Sequence, residues 1–145
     1  MTHSASASAG PLRTAPIDPP QTAYQPGVCN IGPAEIARRR RAGHVGLVAT
    51  VGLLAGLVAV DAPPLARLLV ALPAAAAASG YLQAKLRFCA GFGSLGVYNF
   101  GEIGPTEQVV DAGARRRDLV RARQIGLGSL AIGLAFGVAA AILPL

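Results

Sequence analysis

The sequence has little of what usually stabilises a soluble core or covers a soluble surface. It contains no tryptophan, only 5% aromatic residues and only 14% charged residues over its 145 positions. Hydrophobic residues nevertheless make up 52% of the chain, and its mean hydropathy is +0.48. The excess consists mainly of Ala, Gly, Leu and Val, a composition typical of closely packed helices and unlike that of a β-rich core. The sequence therefore predicts an all-α membrane protein.

Motifs for the common kinds of chemistry are also missing from the sequence. It has no phosphate-binding loop, no C-x-x-C pair and no acidic residue deep inside a span, as a proton-coupled transporter needs. The net charge is +6, but no aromatic or glycine-rich nucleic-acid signature accompanies the arginines. We therefore expect no catalytic residues, no metal, no cofactor and no nucleic-acid partner. The basic residues should instead contact the headgroups of a lipid bilayer.

Three hydrophobic segments, at about 43–60, 65–84 and 124–143, have close to the roughly 20 residues that a helix needs to cross a bilayer. They predict a helical hairpin followed by a third transmembrane span. Pro73 should kink the second span, because proline has no backbone N–H to donate within a helix. The segment 88–101 is apolar and glycine-rich but short, which predicts an interfacial or re-entrant segment, with a true span as the alternative.

The lysines and arginines predict the orientation of these spans. The segments 1–42 and 85–123 hold five and seven of the thirteen, and Arg67 is the exception. Because Lys and Arg are enriched on the cytoplasmic side, we expect a multi-pass protein of the bacterial inner membrane with its N-terminus in the cytoplasm and its C-terminus outside. Arg67 should extend to the outer headgroups. Seven arginines should anchor the inner face: Arg38, Arg39, Arg40, Arg41, Arg115, Arg116 and Arg117.

The composition divides the chain into a tail and a membrane domain. Residues 1–27, rich in Ser, Ala, Thr and Pro and without the apolar stretch of a signal peptide, predict a disordered cytoplasmic tail. The helical membrane domain should occupy 28–145, with 102–123 as a basic cytoplasmic helix or loop. The sequence Ile31-Gly32-Pro33-Ala34-Glu35 recurs as Ile103-Gly104-Pro105-Thr106-Glu107, which indicates either a duplicated half or one helix start used twice.

Two pairs of glycines lie four residues apart within the predicted spans, Gly52 with Gly56 and Gly133 with Gly137. Residues at this spacing share one face of a helix, and small residues there allow another helix to approach closely. We therefore predict that these four glycines mediate helix packing. The partner could be another span, a second copy of the chain or an unidentified membrane protein.

Two short motifs carry a resemblance to a known family. Asn30-Ile31-Gly32 is followed by Glu35, by Arg38 or Arg39 and by a glycine-rich span, and the later motif consists of Phe88, Cys89, Phe92, Leu95 and Gly96. Over about residues 30–96 this pattern resembles a family of short bacterial inner-membrane proteins of unknown function, which includes the membrane part of an inner-membrane rhodanese. The chain departs from the pattern at Ile36, at Ala90 and in its additional third span. The resemblance implies a two-span hairpin, a homodimer and a loose link to sulfur metabolism.

Cys29 and Cys89 are the candidate thiols, just before the first span and just after the second. At the two feet of one hairpin they could be neighbours, able to exchange disulfides, carry a persulfide or bind a soft metal with His44. The alternative is two small, buried, inert thiols.

These observations favour a non-enzymatic scaffold or accessory subunit of the membrane. The alternative is a thiol-based redox or sulfur-handling membrane protein that uses Cys89 and Cys29. A small transporter or channel component is a third hypothesis, although the spans offer no obvious polar pathway.

Overall fold

The computed structural model describes residues 23–144, and helices dominate them. The long helices are α1 (Pro33–Ala59), α3 (Ala71–Lys85) and α5 (Ala112–Ile142). Shorter elements connect them: α2 (Pro64–Arg67), a 3-10 turn (Leu68–Val70), α4 (Ala90–Leu95), and the strands β1 (Val97–Tyr98) and β2 (Glu107–Gln108). Three stretches are long and apolar enough to cross a membrane, namely Pro33–Ala59, Pro64–Lys85 and Ala112–Ile142. The prediction of an all-α membrane fold with three transmembrane helices is confirmed.

Helix α3 lies at the centre of the bundle, with α1 packed on one side and α5 on the other. Both neighbours run antiparallel to it. On one side Gly46 faces Ala77 while Gly43 faces Gly80, and on the other Gly133 faces Ala75 while Gly137 faces Ala71. Large apolar side chains such as Val48 and Leu127 project outward from α1 and α5. An exposed apolar surface of this extent suits hydrocarbon and not water.

The second apolar stretch is not one continuous α-helix. Its backbone tightens into the 3-10 turn at Leu68–Val70 before α3 begins. Pro73 explains the break, because its ring excludes the carbonyl of Leu69 from the usual helical hydrogen bond. The irregularity expected from Pro73 therefore takes the form of this 3-10 turn on its N-terminal side.

Arg67 does not extend outward as the sequence suggested. Its side chain is only 8% exposed, and Nε donates a hydrogen bond of 3.1 Å to the carbonyl of Ala62. Nη1 lies 3.5 Å from the carbonyl of Leu143, at the end of α5. A cation at a helix C-terminus is favoured by the helix dipole. Arg67 therefore ties the turn after α1 to the end of α5.

The segment 88–101 forms α4, only six residues long, followed by β1, which pairs antiparallel with β2. A helix of this length does not cross a membrane, and no fourth candidate span occurs within residues 23–144. The alternative of a further span is therefore wrong. In the predicted basic connection 102–123, α5 already begins at Ala112, capped by Asp111, whose Oδ1 accepts from the N–H of Ala114 at 2.6 Å.

The predicted tail 1–27 falls mostly outside the described residues. Its last part, 23–27, is described and packs against the folded chain. Gln25 pairs with Cys29, and Gly27 contacts α5. The folded unit therefore includes residues 23–27, which the composition alone places in the tail.

Candidate functional site at the basic end of the bundle

One end of the bundle brings two connecting segments together. We call this the junction: residues 29–32, which lead into α1, and residues 87–99, which follow α3. Asn30 N–H donates to the carbonyl of Arg87 at 3.2 Å, and Gly32 N–H donates to the carbonyl of Asn99 at 2.8 Å. Asn99 N–H in turn donates to the carbonyl of Asn30 at 3.0 Å. The foot of α1 is thus hydrogen-bonded to the segment that follows the hairpin.

The side chain of Asn30 holds Cys89 in place. The fully buried amide donates from Nδ2 to the carbonyl of Cys89 at 3.1 Å and accepts the N–H of Cys89 on Oδ1 at 2.7 Å. An amide satisfies both groups because it carries a donor and an acceptor, as a peptide does. Asn30 is part of the first sequence motif and Cys89 is part of the second, so these hydrogen bonds join the two motifs.

The sulfur of Cys89 lies in a polar environment although the residue is only 2% exposed. Cys89 caps α4, and its Sγ accepts from the N–H of Phe92 at 3.4 Å. Arg39 Nη2 donates to the same sulfur at 3.0 Å. The guanidinium also lies over the Phe92 ring, 5.9 Å from its centroid. Two donors, one of them cationic, therefore converge on this sulfur.

A buried carboxylate positions Arg39. Glu35 is 1% exposed, and its Oε2 lies 3.6 Å from Arg39 Nη2. Its Oε1 pairs with Arg38 Nη1 at 3.3 Å. Removal of Glu35 would leave Arg39 without its carboxylate partner. Glu35, Arg39 and Cys89 thus form a continuous chain of contacts in which Arg39 points into the protein, while Arg38, Arg40 and Arg41 are exposed.

Cys29 has a separate environment. It is 9% exposed, and its Sγ lies 3.8 Å from the carbonyl of Ile31. Burial raises the pKa of this thiol, and a backbone hydrogen bond at Ile31 and the charge of Arg87 oppose that shift only in part. Both cysteines are free thiols, and the described residues contain no group of three metal-binding side chains. His44, the suggested third ligand, contacts the Tyr81 hydroxyl at 2.7 Å.

A second buried polar site, which we did not foresee, lies at the start of α5. Asp118 is fully buried and accepts from the Tyr24 hydroxyl at 2.7 Å and from Gly27 N–H at 2.6 Å. Tyr24 also stacks on Tyr98, with ring centroids 4.7 Å apart. Burial, followed by the hydrogen bond to Asp118, raises the pKa of the Tyr24 hydroxyl. The sequence signal for this site is that Asp118 is the only acidic residue of α5.

Arg115, Arg116 and Arg117 are exposed on the first turns of α5. Arg115 lies beside Gly96, which ends α4, and Arg116 and Arg117 line a groove of about 490 Å³ with Arg121. These arginines lie at the same end of the bundle as the junction, because Asp118 on the next turn binds Gly27.

The four predicted packing glycines have two different environments. A Cβ atom at Gly133 would lie 2.8 Å from Ala75 Cα, and one at Gly137 would lie 2.8 Å from Ala71 Cβ, so both glycines face α3. A Cβ atom at Gly52 or Gly56 would have no described atom within 4 Å beyond the turns of its own helix. The close contact of α1 with α3 instead uses Gly43, Gly46 and Gly80.

We compared the chain with known families and structures. No protein-family model, no curated protein and no solved structure matches it. The resemblance to the inner-membrane family therefore stays a prediction. The structure does place residues of both motifs in contact, since Asn30 binds the backbone of Cys89 and Arg39 binds its sulfur.

Proposed function

We propose that this protein is a membrane scaffold or accessory subunit that associates with a second copy through the outer stripe of α1. The outer stripe consists of Val45, Ala49, Gly52 and Gly56, which share one exposed face of the helix. The observation that carries the proposal is that Gly52 and Gly56 have open space around them, whereas Gly133 and Gly137 are covered by α3. The chain thus presents one of its two glycine pairs to the outside.

Packing in lipid gives the physical reason for association. Lipid tails are as apolar as leucine, so helices associate through close van der Waals contact and not through hydrophobic burial. A stripe of glycine and alanine lets two backbones approach, and side chains such as Val45 can fill the space beside it. A second copy offers the matching stripe, and a symmetric dimer needs only one such surface.

Charge supports the proposed placement in the inner membrane. The exposed arginines near the starts of α1 and α5 lie at one end of the bundle, together with the junction. Positively charged residues are retained on the cytoplasmic side during insertion. We therefore propose that the junction and the N-terminus are cytoplasmic and that the C-terminus is outside.

Leucine at both Gly52 and Gly56 should break the association. The added side chains keep the helices apart, and we expect the dimer dissociation constant to rise at least about tenfold, equivalent to ~1.4 kcal/mol. The measurement is energy transfer between labelled copies of the full chain in liposomes, at several dilutions into lipid. Gly126→Leu is the matched control, because no described atom beyond its own turns of α5 lies within 4 Å of Gly126 either. A wild-type chain without energy transfer, or an equal loss in the control, would contradict the proposal.

A second candidate function is sulfur handling at Cys89, and the contact between Arg39 and Sγ at 3.0 Å favours it. A guanidinium beside sulfur complements the negative charge of a thiolate or persulfide. In this reaction the Cys89 thiolate attacks the terminal sulfur of inorganic polysulfide, and the bond between that sulfur and the next one breaks. The products are a Cys89 persulfide and a polysulfide one sulfur shorter, so no external oxidant is needed.

This candidate predicts that polysulfide modifies Cys89 in the folded Cys29→Ser protein and that Arg39→Gln slows the modification about tenfold or more. Arg39→Lys, which keeps a charge opposite Glu35, should retain an intermediate rate. Mass spectrometry of the persulfide, blocked after timed exposure, gives the rates. Exclusion of a bulky maleimide dye shows that each variant is still folded. A folded Cys29→Ser protein that gains no sulfur, or equal rates in all variants, would rule out this function.

A further inference from the structure

The groove of about 490 Å³ at the start of α5, which we call the α5 groove, lies between residues 26–27 and the first turns of that helix. Three arginines line it, and no acidic side chain of the described residues does. The charge of its lining is therefore entirely positive. The arginines are Arg116, Arg117 and Arg121, and the uncharged lining residues are Pro26, Gly27, Gly113, Val120 and Gln124.

Two carboxylates lie near the α5 groove without lining it. Asp118 is fully buried, and its two oxygens accept from the Tyr24 hydroxyl and from Gly27 N–H. Asp111 lines a neighbouring groove of about 300 Å³, which shares Arg117 with the α5 groove. Within the described residues, neither Arg116 nor Arg121 forms an ion pair with a carboxylate. The charge available to a ligand therefore comes mainly from these two arginines.

The guanidinium of Arg121 has few acceptors of its own. Its Nη1 lies 3.4 Å from Gln124 Oε1, near the long limit for a hydrogen bond. Its Nε is buried and has no hydrogen-bond partner among the described residues. A donor that is removed from water without an acceptor costs free energy. An anion in the α5 groove would therefore give this side chain a partner that the described part of the chain does not.

The wall opposite α5 is fixed by close packing. Gly27 has a φ of +74°, and a Cβ atom there would lie 3.2 Å from Arg117 Cβ, so the backbone of residues 26–27 packs directly on the helix. The hydrogen bond from Gly27 N–H to Asp118 holds it there. The α5 groove is therefore defined by the fold on both of its sides.

The face of α5 that forms this groove continues into the apolar part of the helix. Along it lie Arg116, Val120, Gln124 and Leu127, each three or four residues after the one before. Val120 is 49% exposed and Leu127 is 68% exposed. The positively charged groove thus borders on apolar surface of the candidate span.

We infer that the α5 groove binds the phosphate headgroup of an anionic phospholipid, whose acyl chains lie along the apolar face beyond Val120. Arginines beside a membrane span attract anionic headgroups. A soluble phosphate would contact Arg116 and Arg121 but would leave Val120 and Leu127 uncovered, whereas a lipid contacts both parts of the face. This site is independent of the proposed self-association through α1 and of sulfur handling at Cys89.

The test measures binding of a fluorescent phosphatidylglycerol to the purified full chain in micelles of a neutral detergent. Arg116→Gln and Arg121→Gln should each weaken binding about fivefold, as expected for the loss of one cation near an anionic lipid. Arg123→Gln is the matched control, because it removes one exposed charge of α5 outside the groove, and it should bind as the wild type does. Exclusion of a bulky maleimide dye from the two buried thiols shows that each variant is folded.

Three further results separate the lipid site from its alternatives. Wild-type affinity in both groove variants, or an equal loss in Arg123→Gln, would show diffuse attraction to surface charge and overturn the site. Equal binding of a fluorescent phosphatidylcholine would overturn the selection of an anionic headgroup. Retention of phosphatidylglycerol in a large excess of glycerol phosphate supports the lipid, whereas displacement at concentrations comparable to that of the lipid would assign the groove to a soluble phosphate and overturn the inference.

Discussion

Leucine at Gly46 should separate α1 from α3. Even a Cβ atom at this position would lie 2.7 Å from the backbone nitrogen of Ala77 and 2.8 Å from its Cα. These atoms belong to the main chain of α3, so no rotation of a flexible side chain can relieve the overlap. Overpacking of this kind typically costs about 3 kcal/mol or more when the backbone has to shift. We expect the midpoint of thermal unfolding to fall by about 10 °C.

The two buried thiols provide the measurement. Cys29 and Cys89 are shielded in the folded chain, so a bulky maleimide dye should label them only after unfolding. Labelling of the detergent-solubilised protein across a temperature series then reports the unfolding midpoint. Gly52→Leu, on the same helix, is the matched control and should keep the wild-type midpoint, because no described atom beyond its own turns lies within 4 Å. Equal midpoints for the two variants would contradict the packing of α1 on α3.

Alanine at Asp118 should detach residues 24–27 from α5 and destabilise the basic end of the bundle. The carboxylate accepts from the Tyr24 hydroxyl and from Gly27 N–H, and it is fully buried. Without it, both donors lose their partner and a small cavity remains. Loss of a buried, charged acceptor that serves two half-buried donors should cost about 3 kcal/mol. The expected result is a lower unfolding midpoint together with faster proteolysis near Tyr24.

Two amide substitutions test whether this effect belongs to the buried carboxylate. Asp118→Asn keeps one acceptor oxygen but places an NH₂ group against a hydroxyl or an N–H. Its unfolding midpoint should therefore lie between those of Asp118→Ala and the wild type. Asp111→Asn makes the same atomic change at the cap of α5, where asparagine serves as well as aspartate, and should be nearly neutral. If Asp118→Ala unfolds at the wild-type midpoint, Tyr24 and Gly27 do not anchor the N-terminal segment.

The junction and Asp118 both connect segments of the chain at the basic end of the bundle. The junction binds the foot of α1 to α4, and Asp118 binds residues 24–27 to α5. Helices α1 and α5 both pack mainly on α3, so these polar contacts provide a second connection between them at the basic end.

Much of the fold was predictable because it depends on local sequence. The three spans follow from hydropathy and length, and the break before α3 follows from the missing N–H of Pro73. The candidate site was predictable only in part. The sequence left open whether the two feet of the hairpin are neighbours, and the side chain of Asn30 joins them through the backbone of Cys89. Which arginine turns inward was not predictable, since Arg39 differs from its three neighbours only in reaching both Glu35 and Sγ of Cys89.

The sequence by itself determined three helices long and apolar enough to cross a membrane, because hydropathy and helix length are properties of each segment alone. Only the tertiary structure decided which glycines are used. Gly52 and Gly133 belong to the same kind of pair, yet α3 covers one and leaves the other open. It also decided that Asp118 binds Tyr24, 94 positions away along the chain. Contacts between distant residues depend on how whole helices cross, and no local pattern of side chains specifies that crossing.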